Sequence, residues 1–342
     1  MGTHGQTQGN ERGPLDASNE RWALDAPNGA AAGPGPVPGR WLGARDRAAP
    51  VVFLHGYLGS PALWERPEAG RPGLALALPG HHPWSLDRGA VLPWLDLDRL
   101  ASAYAGTIAR AFGGRPAVLV GHSTGGLVAL QIALRHPSVV DSVLLVGALG
   151  SGDLDGRPNR LGRAVAAPVL GPAVGRAVLG LWLASGWTFR RGLASAMGRR
   201  SPGRPASEAM RADLRASDAE ALRRFGLWLM GLDVTAGLDA LAVPVRWLIG
   251  RDDPVVPPAH QLRVLRLLPR ADAVVLDAGH LPMVEAPDAF DAALDAWIAV
   301  RRWRGLIAPE PPRAGLYGRA AATGGGLHPL PGVVSPRAAL RT

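Results

Sequence analysis

The fold is decided by the stretch Ala117-Val-Leu-Val-Gly-His-Ser-Thr-Gly125. Its four apolar residues predict a buried strand, and the apolar spacing from Leu127 to Arg135 predicts a helix directly after it. Only a sharp turn with strained backbone angles joins the two elements, and side chains two residues before and after its centre would collide. Gly121 and Gly125 fill those places. The turn therefore aims the Ser123 hydroxyl upward, where the N-terminus of the helix favours negative charge.

Short apolar runs alternate with helical patterns on both sides of this stretch. Runs that are apolar throughout are typical of a parallel sheet covered by helices on both faces. We therefore predict an α/β fold, a three-layer α/β/α sandwich with a mostly parallel sheet. The predicted strands cover residues 51–54, 74–78, 117–120, 142–146, 245–249 and 273–276, with an edge strand near 40–43, and the predicted helices cover residues 97–112, 127–135, 259–268 and 288–302. Ligands of such sheets bind at the carboxyl ends of the strands, so chemistry is expected directly after each strand.

A serine hydroxyl is a weak nucleophile at neutral pH and needs a base, which in turn needs an orienting acid. His280 ends the segment Leu276-Asp-Ala-Gly-His280 after the last predicted strand, and we predict that it is the base. In this topology the acid is expected between the serine and the histidine in the chain. Asp252 and Asp253 both follow the preceding strand, and on this ground both are candidates for the acid.

These segments resemble the α/β-hydrolase fold superfamily over about residues 40–150 and 240–303. The acid loop of those enzymes commonly reads Gly-x-x-Asp-x-x-x-Pro, and Gly250, Asp253 and Pro257 match it. The resemblance therefore implies that Asp253 is the acid and that Asp252 is a structural turn residue.

An acyl-transfer site also needs two backbone N–H groups that stabilise an oxyanion. The residue after the nucleophile, Thr124, supplies one of them. The segment His55-Gly-Tyr-Leu-Gly59 resembles the His-Gly-x-x-Gly segment of the superfamily, which implies that the Tyr57 N–H is the second. The Tyr57 side chain alternatively lines the acyl pocket. The segment Leu78-Pro-Gly-His-His82 resembles a Pro-Gly-His-Gly loop with His82 in place of glycine, and we expect it to be structural.

Almost a hundred residues separate the strand ending near Val146 from the one starting at Val245. This excess over one crossover helix resembles the helical cap of many superfamily members, and we predict a cap over residues 151–239. Residues 164–189 are nearly all apolar, with Arg176 as the only charged residue, and arginines flank them. Three interpretations stay open: ordinary burial of a cap helix, a pocket for an acyl chain or ring, and weak contact with a membrane surface. Candidate substrate-lining side chains are His55, His122, Trp182, Trp187 and Trp228.

The composition excludes several kinds of chemistry. The chain has no cysteine, and all 37 basic residues are arginine, so it has no lysine. Thiol nucleophiles, disulfides, zinc–thiolate sites, Schiff bases and phosphate-loop lysines are therefore excluded. No spacing typical of metal ligands occurs, and we expect neither a metal nor another cofactor. The net charge of +9 is typical of arginine-rich coding bias, and without an RNA-binding motif we expect no nucleic-acid partner.

The chain ends differ from the predicted core, which covers residues 40–150 and 240–306. Residues 1–39 and 307–342 are rich in Gly and Pro and lack periodicity, so we predict a flexible N-terminal segment and a disordered C-terminal tail. The first ten residues lack the apolar core of a secretory signal, and prolines interrupt the apolar run near Pro172. A cytoplasmic location is therefore expected, whereas the sequence defines no oligomeric state.

The resemblance implies a serine hydrolase that cleaves an ester, thioester or amide of a small to medium apolar substrate through an acyl-enzyme. An acyltransferase, a carbon–carbon bond hydrolase and a cofactor-free peroxidase-type enzyme use the same triad, so these alternatives stay open. A non-enzymatic ligand-binding protein on the same fold usually has a damaged triad, which this sequence does not show. Dehalogenases and epoxide hydrolases carry aspartate at the nucleophile position, so Ser123 argues against both.

Overall fold

The strands form a single sheet in which parallel pairing dominates. A computed structural model describes residues 37–43, 50–65, 72–154, 167, 169–198, 204–306 and 333–334. The strands in these residues are β1 (Gly39–Leu42), β2 (Val51–Leu54), β3 (Gly73–Leu76), β4 (Ala117–His122), β5 (Val140–Val146), β6 (Val245–Gly250), β7 (Ala271–Leu276) and β8 (Val333–Val334). Their order in the sheet is β1-β3-β2-β4-β5-β6-β7-β8.

Only the two outermost strands run against the rest. The pairs from β3 through β7 are parallel, whereas β1 pairs antiparallel with β3 and β8 pairs antiparallel with β7. The mostly parallel sheet predicted from the sequence is thus confirmed. β8 lies inside the segment predicted as a disordered tail. The rest of that tail, like residues 1–36, lies outside the described residues.

Helices cover both faces of the sheet, as the buried strands require. The helices are α1 (Leu97–Phe112), α2 (Thr124–Arg135), α3 (Gly171–Leu183), α4 (Gly186–Ala194), α5 (Arg204–Arg215), α6 (Ala219–Leu229), α7 (Pro258–Leu265), α8 (Pro282–Glu285) and α9 (Pro287–Leu306). Buried side chains of α1, α2 and α7 share one apolar core, and those of α9 belong to a second core with the opposite faces of the strands. All residues of β2, β3 and β4 are buried, which explains their unbroken apolar sequence.

Local signals set the ends of the helices. The Asp96 side chain accepts the Arg99 N–H at 2.8 Å and caps α1, and Gly113 ends the helix in the left-handed region at φ 64°. The predicted helix over 97–112 therefore has the observed bounds. The helix predicted over 259–268 instead ends at Leu265, because the N–H groups of Leu267 and Leu268 bond three residues back and tighten the chain into turns.

Four of the helices, α3 to α6, lie between β5 and β6 in the chain. The Ser185 side chain accepts the Thr188 N–H while Thr188 Oγ1 accepts the Ser185 N–H, so a reciprocal cap starts α4. Asp218 caps α6 by accepting the Ala221 N–H at 2.8 Å. The helices occupy the interval predicted for the cap, and the bounds 151–239 stay a prediction.

Candidate active site

The turn between β4 and α2 holds Ser123 in a strained conformation, with φ 52° and ψ −121°. Such a backbone costs about 1–3 kcal/mol and persists only where the surroundings enforce it. Here they do: a Cβ on Gly125 would lie 2.3 Å from the Leu54 carbonyl oxygen, and a Cβ on Gly121 would lie 2.6 Å from the Gly126 Cα. The two glycines thus allow the strand, turn and helix to pack as the sequence predicts.

Asp253 and His280 form a buried pair after β6 and β7. His280 Nδ1 lies 2.9 Å from Asp253 Oδ2, and the Asp253 side chain is fully buried. The same Oδ2 accepts a hydrogen bond from Gln261 Nε2 at 3.0 Å, and Oδ1 accepts the N–H groups of Val255 and Val256 at 2.9 Å. Four hydrogen bonds therefore fix the carboxylate against the imidazole.

The neighbouring Asp252 takes no part in this pair. Its side chain is exposed, whereas Asp253 is buried. Of the two candidate acids, only Asp253 is placed by the structure against His280.

Gly147, which follows β5, brings the serine turn and the buried pair together. The Ser123 N–H donates to the Val146 carbonyl at 3.0 Å. A Cβ on the next residue, Gly147, would lie 3.2 Å from both Asp253 Oδ2 and His280 Nδ1. Gly147 has φ 51°, so glycine meets both the backbone and the space requirement here. The three predicted triad residues thus converge at the carboxyl edge of the sheet.

The loop after β2 lies against Ser123. A Cβ on Gly56 would be 2.8 Å from the Ser123 Cβ. The Leu58 N–H donates to His81 Nε2 at 3.2 Å and the Gly59 N–H to the Gly56 carbonyl at 3.0 Å. Among the described residues no acceptor meets the Tyr57 N–H or the Thr124 N–H. Both N–H groups assigned to the oxyanion from the sequence are therefore available.

Two buried histidines hold this loop in place. His55 Nδ1 donates to the Gly56 carbonyl at 2.8 Å, and its Nε2 accepts the Leu78 N–H at 3.1 Å. Burial, reinforced for His55 by the neighbouring His81, lowers the pKa of His55 well below its usual value and that of His81 to about 4. Both rings are therefore neutral at pH 7, and each makes a hydrogen bond to the backbone of the loop after β2.

The Tyr57 side chain contacts the inserted helix α6. Its ring stacks on Phe225 at 6.1 Å between centroids, and its hydroxyl approaches Gly226, where a Cβ would lie only 2.5 Å away. Burial raises the pKa of Tyr57 to about 12, so the phenol is neutral. Trp228 continues this aromatic cluster, with its ring 5.2 Å from that of Phe225.

His122 packs directly beside His280. Its ring centroid is 4.7 Å from that of His280, and its Nε2 donates to the His280 carbonyl at 2.9 Å. Burial, followed by the charge of nearby His280, lowers the pKa of His122 well below its usual value. A neutral His122 thus supports the loop that carries His280.

The other two predicted substrate-lining tryptophans lie elsewhere in the insertion. Trp182 packs on Phe189 and donates its Nε1–H to the Phe189 carbonyl at 3.1 Å. Trp187 is 64% exposed and lies beneath the guanidinium of Arg191. The structure therefore does not enclose Trp187 with the triad residues, because its ring faces outward.

Glu285 is a site residue that the sequence argument missed. This buried carboxylate accepts the Gly279 and Gly198 N–H groups at 2.8 Å through Oε2 and the Leu281 N–H at 3.0 Å through Oε1. The His280 N–H in turn donates to the Ala196 carbonyl at 3.0 Å. The Glu285 carboxylate thus binds the backbone on both sides of His280 and links it to Gly198 of the insertion. The available signal was a lone carboxylate after the apolar run Leu281-Pro-Met-Val284.

Gln261 is the second missed residue. Its Nε2 donates to Asp253, while its Oε1 accepts the Trp247 Nε1–H at 2.9 Å. The amide therefore orients the acid from α7. A single glutamine on a short helix carries no sequence signal of this role.

The mostly parallel sheet with helices on both faces defines the class as an α/β protein, and its site combines a strained serine between strand and helix with a buried Asp–His pair. The model of the alpha/beta hydrolase family matches residues 51–293, which is more than half of the chain. The chain therefore belongs to the α/β hydrolase family.

Individual relatives match shorter stretches. An esterase of Mycobacterium tuberculosis is 34% identical over 110 residues, which cover 31% of this chain and 34% of that protein. A pimeloyl-[acyl-carrier protein] methyl ester esterase of Neisseria meningitidis is 33% identical over 134 residues, or 38% of this chain and 39% of that protein. The chain thus spans less than half the length of these relatives.

The fold is also shared with solved structures. An esterase from Rhodococcus sp. ECU1013 superposes with a TM-score of 0.57 and 23% identity, covering 77% of this chain and 94% of that chain. At this level of identity, the likeness shows a common fold.

Proposed function

We propose that this protein hydrolyses carboxylic esters of small to medium apolar substrates with Ser123 as nucleophile, His280 as base and Asp253 as orienting acid. The observation that carries the proposal is the 2.9 Å contact between His280 Nδ1 and Asp253 Oδ2 beside the strained serine turn. Relatives named as esterases, which match the chain in part, support the choice of an ester bond.

The first half-reaction forms an acyl-enzyme. His280 Nε2 takes the hydroxyl proton as Ser123 Oγ bonds to the ester carbonyl carbon, and the carbonyl oxygen becomes an oxyanion. The N–H groups of Tyr57 and Thr124 stabilise that oxygen, helped by the N-terminus of α2. The tetrahedral intermediate then breaks its bond to the alcohol oxygen, which leaves with the proton from His280.

The second half-reaction restores the enzyme. Water gives one proton to His280 Nε2 while its oxygen bonds to the acyl carbon. The bond to Ser123 Oγ breaks, the proton returns to that oxygen, and a carboxylic acid is released. Asp253 stays ionised throughout and stabilises the transient imidazolium.

Ser123→Ala tests the nucleophile. Turnover of p-nitrophenyl esters of short acyl chains should fall by a factor on the order of 10³ or more, because the variant keeps no hydroxyl at the strained position that Ser123 occupies. A fluorophosphonate probe should label the wild-type protein and not the variant. Ser195→Ala removes an exposed hydroxyl from the insertion and should change neither readout. Full activity in Ser123→Ala would refute the assignment.

Asp253→Asn tests the acid against its neighbour. Turnover should fall on the order of 10³-fold, because the amide no longer stabilises the correct tautomer and charge of His280. Asp252→Asn, the matched variant one residue away on the exposed side, should stay within about threefold of wild type. The opposite ranking of the two variants would make Asp252 the acid.

A further inference from the structure

The outer side of the insertion exposes a large apolar surface. We define the outer apolar face as Leu170, Ala173, Ala177, Leu181 and Trp187. Leu170 is 67% exposed, Leu181 is 71% exposed and Trp187 is 64% exposed. Spacings of three and four residues from Leu170 to Leu181 place these side chains along one stripe of α3. Large apolar side chains left exposed together on one helix and at the start of the next are typical of an interaction site.

This exposure separates the three interpretations of the apolar run. Only Gly171 and Leu183 of α3 are buried, so ordinary helix burial does not explain its composition. A pocket wall would enclose these side chains, whereas Leu181 and Trp187 point to solvent. Contact with an external apolar phase is the interpretation that fits.

The positive charge around the outer apolar face indicates the chemistry of its binding partner. Residues 156–207 contain nine arginines and no Asp or Glu, whereas the remaining 28 arginines are balanced by 28 acidic residues. The whole net charge of +9 therefore belongs to the segment that carries the outer apolar face. Arg176 is exposed at its edge, and Arg191 places its guanidinium 5.8 Å from the Trp187 ring centroid.

We propose that the outer apolar face docks on an anionic lipid bilayer. Leucines would enter the acyl boundary, Trp187 would lie at headgroup depth, and the arginines would reach the lipid phosphates. In the described part of the chain no helix is long and apolar enough to cross a membrane. The docking is therefore peripheral, with α3 lying along the surface.

A second copy of the chain fits this face less well. In a twofold interface the same surface meets itself, so Arg176 and Arg191 of one copy would face those of the other without a counter-charge from this segment. A bilayer that contains acidic lipids supplies the missing negative charge, at about 1 kcal/mol per arginine near the surface.

Vesicle co-sedimentation of the full chain tests the proposal. Wild type should sediment with vesicles of phosphatidylglycerol mixed with phosphatidylcholine and much less with phosphatidylcholine alone. Leu181→Gln combined with Trp187→Gln should weaken partitioning into the mixed vesicles by at least about 10-fold. Arg176→Glu combined with Arg191→Glu should do the same and should abolish the preference for the acidic lipid.

Matched variants separate docking from folding and catalysis. The control is Leu267→Gln combined with Arg266→Glu, directly after α7, where Leu267 is 44% exposed and Arg266 is exposed. It makes the same kinds of substitution outside the outer apolar face and should leave vesicle binding unchanged. Ser123→Ala should bind vesicles as wild type does, because docking does not depend on the nucleophile. All docking variants should keep wild-type turnover of a soluble p-nitrophenyl ester.

Three results would overturn the proposal. Wild type that stays in the supernatant with mixed vesicles rules out the docking. Face variants that bind like wild type move the contact elsewhere on the chain. A dimer in analytical ultracentrifugation that dissociates in Leu181→Gln would assign the face to a second copy.

Discussion

The loops at the carboxyl edge of the sheet and the outside of the insertion differ in how closely atoms approach. In the loops, a Cβ on Gly125 would lie 2.3 Å from the Leu54 carbonyl oxygen. On α3, a Cβ on Gly180 would meet nothing within 4 Å. The loops at the carboxyl edge thus leave no room for a side chain at Gly125, whereas α3 has open space for one at Gly180.

Alanine at these two glycines gives the largest contrast. Gly125→Ala should lose at least about 4 kcal/mol of unfolding free energy, because the clash is with backbone that cannot rotate away. Gly180→Ala should gain about 0.5–1 kcal/mol, because alanine has the higher helix propensity at an unhindered position. Soluble yield and urea unfolding measure both. Equal effects of the two substitutions would remove the distinction between the regions.

Glu285 joins the two regions, because it accepts N–H groups from Gly198 of the insertion and from Gly279 of the loop after β7. Glu285→Gln has one acceptor oxygen for three N–H donors, so we expect a loss of about 2–4 kcal/mol in unfolding free energy. Because Glu285 holds the backbone on both sides of His280, kcat should also fall about 10-fold with KM retained. Urea unfolding and steady-state kinetics check the two effects.

Glu208→Gln is the matched control on the insertion. Glu208 pairs with Arg190 and Arg211 while its side chain remains 37% exposed, so its loss should cost no more than about 1 kcal/mol. Its kcat should remain that of wild type. A Glu285→Gln protein that is destabilised with unchanged kcat would show that Glu285 acts on the fold alone.

The buried histidines of the loops give the smallest effect, a dependence of stability on pH. The folded pKa of His81 is about 4, below the usual 6.5, so the unfolded chain takes up the proton first as the pH falls. Stability is therefore complete above about pH 6.5 and is lost toward pH 4. From about pH 7 to about pH 5, His81 contributes a loss of about 2 kcal/mol.

His81→Gln removes this titration and should reduce the loss between the two pH values by about that amount. His82→Gln, on the half-exposed side of the same loop, should keep the wild-type dependence. Urea titrations at both pH values compare the three proteins. An unchanged pH dependence in His81→Gln would place the titrating group elsewhere.

The sheet was predictable because its signals are local. Unbroken apolar runs located β2, β4, β6 and β7, and the Asp96 and Gly113 caps bounded α1. β4 extends two residues beyond its predicted end, since Gly121 and His122 still pair with β5 before the chain turns. Polarity alone does not reveal that continuation.

For the site, the turn geometry singled out Ser123 between its glycines, whereas the choice of Asp253 over Asp252 came only from the resemblance of residues 250–257 to the acid loop of α/β hydrolases. The structure brings these two residues and His280 together, and their catalytic roles stay a prediction. Glu285 and Gln261 escaped, because their roles depend on backbone groups that only the folded chain brings together. The exposure of α3 remained one of three open interpretations, because a helix that is apolar apart from Arg176 has little periodicity to show which side is covered.

The hydrogen bonds that residues 196–198 make with His280 and Glu285 also bear on how such proteins diversify. The Ala196 carbonyl and the Gly198 N–H are both used there, and a Cβ on Gly279 would lie 2.2 Å from the Gly198 nitrogen. An insertion grafted from a relative must therefore supply the same backbone carbonyl and the same backbone N–H, and it must leave Gly279 the same close approach to the backbone. Recombination within residues 171–194 leaves these hydrogen bonds intact. A crossover between Ala196 and Gly198 should disrupt them, and with them the backbone around His280.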